Sequence, residues 1–204
     1  MCPTSLVGLQ NDKYPVPVQS GMRPRHETRG GGGLGQGALA MSGTDETAKP
    51  PQLLAIGLIQ DAQTYLDSAR LLSKEVGSAV RFFPPIYFLL CQAMELVLKA
   101  YLAASGVPNR TLREEIGHNL DLGFRHGREH GFDPADARFP ELVRWLGPFH
   151  LDHSFRYRKS GRLLQLPLAS EAAEIIGNTL GPIEHYVRRQ FIKMRSRESR
   201  RAVG

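Results

Sequence analysis

Cysteine is nearly absent: the 204 residues contain two, Cys2 in a Gly/Pro-rich end and Cys91 inside an apolar run. That spacing excludes a disulfide framework and a cysteine-based zinc site, and fits a reducing, cytoplasmic setting. No basic start followed by an apolar run and a cleavage site stands near Met1, so a signal peptide is not expected. The apolar stretch from Ile86 to Ala104 is interrupted by Gln92, Glu95 and Lys99, which argues against a membrane span. Acidic excess is lacking as well. The net charge is +6, and the segment from Arg188 to Gly204, with seven basic residues against Glu198, accounts for all of it. A basic end of this kind suits nucleic acid or an anionic surface, and equally a solvated helix C-terminus.

What is present is an ordinary globular balance, 41% hydrophobic and 23% charged, enough for one domain with tails. Residues 1–50 hold nine of the 21 glycines, the run "RGGGGLGQG" and five prolines without an apolar period, and read as a disordered extension. The glycine run matches G-x-G-x-x-G, but it has neither the strand before it nor the helix after it that a dinucleotide fingerprint requires. Met41 opens a segment typical of a protein start, so residues 1–40 are expected to be dispensable or an upstream mis-start. The folded part is expected over residues 51–195, with 196–204 as a basic tail.

From Pro51 the pattern turns helical. Ala55, Ile59, Ala62, Leu66 and Ala69 recur at steps of three and four, predicting an amphipathic helix to about Val76. A second helix, apolar on most faces, runs from about Pro85 to Ser105 and stops at Gly106 and Pro108. Thr111 and Glu114 stand in capping-box spacing, and Leu112, Ile116, Leu120 and Phe124 line one face of a third helix ending at Gly131. A shorter helix carries Trp145. "FRYRKSGRLLQLP" reads as a small basic hairpin around Lys159, Ser160 and Gly161. A last helix starts near Pro167 and passes Pro182, expected to kink it, to about Lys193. The fold class is all-α: an up-and-down bundle of four long helices and one short one.

Glu95 and Lys99 form an i, i+4 pair in the favourable order, yet the residues around them leave only the stripe Gln92, Glu95, Lys99 free of apolar side chains. A carboxylate buried there needs a partner. "QAMELVLKAYLAASG" followed by "GHNLDLGFRHG" resembles the paired motif Gln-Ala-x-Glu-x-x-x-Lys-Ala-x-Leu and Gly-His-x-Leu of the HEPN superfamily of small helical bundles. The resemblance covers about 35 residues well and the bundle loosely. It implies a four- to five-helix fold, commonly a homodimer, associated with nucleotide and RNA transactions, and it would place Glu95 and Lys99 in a groove with His118.

Ribonucleases of that superfamily carry Arg-x(4–6)-His near the start of the last helix. Here His185 has no such arginine, because Asn178, Thr179 and Leu180 occupy the positions. The spacing does occur at Arg113 to His118, Arg125 to His130 and Arg144 to His150, a number that chance accounts for. Just before the last helix, Arg156, Tyr157 and Arg158 interleave guanidinium groups with a ring, a pattern suited to phosphate and base contact. His126, His130, His150 and His153 are expected on the surface or in loops, with no cluster at metal spacing and therefore no metal or cofactor. Three readings stay open. One is a non-catalytic module binding RNA or a nucleotide through Glu95, Lys99, His118, Arg156, Tyr157 and Arg158. Another is a metal-independent ribonuclease using His118 or His130, with Arg125 as a phosphate clamp. The third is a regulatory or antitoxin-like partner of a co-encoded protein.

Overall fold

The computed structural model describes residues 50–76, 80–157 and 166–203. Among these the chain is an all-α bundle without strands. Its helices are α1 (Pro51–Val76), α2 (Phe83–Ala104), α3 (Leu120–Glu129), α4 (Phe139–Leu151) and α5 (Ala169–Val203). A short 3-10 turn, Val80–Phe82, leads into α2, and a wide π-type turn, Thr111–Ile116, follows it. The extension 1–49 and most of the expected hairpin, 158–165 with Arg158, lie outside the described residues.

α2 is the central element. It packs against α1, α5, α3 and α4, while α5 also touches α1 and α4, and α3 touches α4. The five residues of the α1 stripe, Ala55, Ile59, Ala62, Leu66 and Ala69, are all buried against it. By length and composition α2 is apolar enough to cross a membrane, but most of it is covered by the rest of the protein. Small residues at Ala93, Ala100, Ala103 and Ala104, all buried, let neighbouring helices approach closely.

The expected third helix is two pieces. The wide turn ends at Gly117, whose φ of 54° falls in the left-handed region that favours glycine. The chain then restarts at Asn119, whose side chain caps α3 by accepting from the Leu122 amide at 3.0 Å. Thr111 does not cap its turn: Arg110 stands at the cap position without a side-chain capping bond, its guanidinium donating to Glu114 at 2.8 Å instead, and the Thr111 hydroxyl turns to Glu115 at 3.1 Å. Three helices are long, two are short, and α5 begins at Ala169 and continues past Lys193 to Val203.

Two fastenings set α4 and the segment after it. Between α3 and α4, Asp136 accepts from the Arg138 guanidinium through both oxygens (3.0 and 2.8 Å) and from Asn178 of α5 at 3.0 Å. These bonds, Arg138 foremost, hold its carboxyl well below the usual carboxylate range. After α4, buried Phe155 stacks on Tyr87 of α2, ring centroids 5.6 Å apart, and touches Phe149. The Tyr87 hydroxyl donates to the Pro167 carbonyl ahead of α5, and burial pushes its pKa up to about 12.

Candidate functional site

One stripe of α2, Phe88, Gln92, Glu95 and Lys99, carries the polar chemistry of the core. Its spacing of four, three and four residues keeps these side chains on one face. Glu95 is buried, 6% exposed, and bonds to three side chains. Lys99 donates from Nζ to Oε1 at 2.7 Å. His118, on the connector between Gly117 and Asn119, meets Oε2 through Nδ1 at 2.9 Å. His150, from the last turn of α4, meets the same oxygen through Nε2 at 2.5 Å. Burial alone would raise the Glu95 pKa, but the bond from His150, the Lys99 charge and the bond from His118 together lower it to about 2. The carboxylate is therefore ionised, and both histidines donate to it.

His118 thus sits beside Glu95 and Lys99, in the neighbourhood that the motif resemblance implies, with a side chain 44% exposed. His150 corrects an expectation. The sequence suggests a surface or loop position, yet the residue is buried at 3% exposure and is the third member of the cluster. The absence of a metal-spaced cluster needs correction too: Glu95, His118 and His150 each offer one ligating atom, all within 4.8 Å of one another. Sequence spacing misses such a set because its three members come from three segments, which only the tertiary fold brings together.

Around the cluster, the His118 ring lies 5.7 Å from that of His150 and 5.5 Å from that of His153. His153 is half-buried and has a φ of 57°, a left-handed conformation uncommon for a side-chain-bearing residue. Gln92 is 8% exposed, and its Nε2 is buried with no hydrogen-bond partner among the described residues. At the N-terminal end of the stripe, the Arg156 guanidinium lies over the Phe88 ring, 4.9 Å from its centroid. Tyr157 beside it is 68% exposed.

The remaining pair stands apart in its bonding. Arg125 pairs with Asp121 at 3.2 Å along α3. His130 ends α3 and its Nδ1 turns back to the His126 carbonyl at 2.9 Å, the arrangement of a helix C-cap. Arg144 pairs with Glu141 at 3.2 Å on the exposed side of α4, while His150, six residues later, points into the core. No protein-family model, curated protein or solved structure matches this chain.

Proposed function

We propose that this protein is a HEPN-like helical module that binds RNA or a nucleotide, without cleaving it, through the polar stripe of α2 and the segment after α4. One observation carries the reading. The Arg156 guanidinium lies over Phe88 at one end of the stripe, the half-exposed imidazole of His118 bonds to Glu95 further along it, and Tyr157, next to Arg156 in the chain, has an exposed ring. A guanidinium fork suits phosphate, an aromatic face suits a base, and a rigid carboxylate network beneath them fixes the imidazole. Arg158, next in the chain, extends the cationic row in sequence.

A second reading, a metal-independent ribonuclease, is favoured by the way His118 is held. Glu95 orients the ring through Nδ1, which leaves Nε2 for proton transfer, as a carboxylate does for a general acid or base. The test is a gel-shift and cleavage assay of the full chain with a structured RNA, in EDTA, at low and physiological salt. A salt-sensitive shift without cleavage, weakened about tenfold by Arg156→Ala and little by His118→Ala, is the expected result. Cleavage abolished by His118→Ala would replace the binding module by the ribonuclease. Absence of both shift and cleavage would reject a nucleic-acid role and leave the regulatory partner of a co-encoded protein.

A further inference from the structure

We infer that Glu95, His118 and His150 form a binding site for one divalent transition cation of the zinc class, independently of whether the protein binds nucleic acid. The donor set is two imidazole nitrogens and one carboxylate oxygen, a combination that suits zinc and its first-row neighbours rather than magnesium or calcium. The three residues come from α2, the connector after Gly117 and α4, so the bundle itself brings the ligands together. Both histidines converge on the same oxygen, Oε2, while Lys99 holds Oε1. Lys99 therefore acts as an outer partner that fixes the carboxylate and leaves one oxygen free to ligate.

The two carboxylate–histidine pairs are closer than ligands around a cation. Metal–ligand bonds of about 2.0–2.1 Å in a tetrahedron place ligand atoms roughly 3.3 Å apart. The bonds from Oε2 to His118 and His150 are 2.9 and 2.5 Å, while the whole set spans up to 4.8 Å, so a cation asks each ring to move off Oε2 by less than an ångström and the two imidazole nitrogens to close towards each other. His118 has room for that movement, since it lies on a connector outside any helix and its side chain is 44% exposed. On loading, each neutral ring carries its proton on the other nitrogen, and the cation replaces both histidine–carboxylate hydrogen bonds. The half-exposed side of His118 leaves a coordination position for water or a ligand, bordered by His153. The Gln92 Nε2, three residues before Glu95 on the same stripe, is a buried donor without an acceptor among the described residues. Lys99 sets a limit on affinity, because its charge lies 2.7 Å from the far carboxylate oxygen.

The experiment is titration of the EDTA-stripped full chain with Co²⁺, followed by its visible d–d absorption and then by displacement with Zn²⁺. One equivalent is expected, with the intense bands of a four- or five-coordinate nitrogen/oxygen site, bleached by zinc. His118→Ala, at a half-exposed position where folding is expected to persist and is checked by circular dichroism, should weaken binding at least tenfold. His150→Ala should do the same if it folds, and His130→Ala should leave the titration unchanged. An absence of visible bands in the full chain would overturn the inference. So would bands that survive His118→Ala unaltered, because the cation would then lie elsewhere.

Discussion

At the scale of single residues, Glu95 is a tightly constrained group. It sits in the central helix, accepts from three cationic or ionisable side chains, and is nearly out of water. Its presence was legible in the sequence as a carboxylate that needed a partner, and Lys99 was legible through the i, i+4 spacing. His150 was not, because nothing in a sequence distinguishes a histidine closing a helix on the surface from one turned into the core. The network makes stability depend on acid. Glu95 falls from an ordinary 4.5 to about 2 on folding, so its stabilisation is complete above about pH 4.5 and is lost as pH falls towards 2. The shift corresponds to about 3 kcal/mol. Urea denaturation of the wild type and Glu95→Gln between pH 6 and 2 should give difference curves that converge by roughly that amount as the pH falls. Parallel curves would show that the Glu95 charge contributes nothing.

At the scale of elements, periodicity identified helices well and their interruptions poorly. The α1 stripe reads directly as buried positions, and Leu112, Ile116 and Leu120 are buried as the third-helix pattern predicts. Yet the backbone between them is broken. The apolar spacing of four persists across the break because the turn and α3 both touch α2, while Gly117, at a positive φ, ends the turn between them. The signal for the break was "GHN", a glycine followed two residues later by a capping asparagine, and it was outweighed by the continuous apolar face. This break also lifts His118 out of a helix and delivers it to Glu95. Gly117→Ala would force a Cβ into a φ of 54°, at a cost of about 1–3 kcal/mol. The prediction is a lower denaturation midpoint together with a changed His118 ring resonance, measured by NMR. An unchanged midpoint and an unchanged ring signal would show that the turn tolerates a side chain and does not set the histidine.

At the scale of the whole molecule, charge and core are separated along α5. Among the described side chains, those that this helix buries lie at or before Val187; from 188 to 202 the chain is helical, exposed or half-exposed, and basic. The basic end was legible as composition, but its helical form was not, because no apolar stripe marks it. A helix of this kind owes its stability to side-chain pairs such as Arg188 with Glu184 at 2.6 Å and Arg195 with Glu198 at 3.5 Å. On the proposed RNA-binding reading, its exposed cations, spaced by about 1.5 Å of rise per residue, would be a second surface on which counterions are released. Ending the chain after Met194 removes Arg195, Arg197, Arg200 and Arg201 together with Glu198. Since none of the described side chains that go with them is buried, thermal stability should stay within about 0.5 kcal/mol of the full chain. If these arginines neutralise phosphates, the slope of log affinity against log salt should become shallower by about 0.7 for each phosphate they no longer meet. Arg156→Ala should lower affinity in both chain lengths by a similar factor, because its position over Phe88 is separate from the end of α5. An unchanged salt slope in the shortened chain would confine RNA binding to the α2 stripe and the segment after α4.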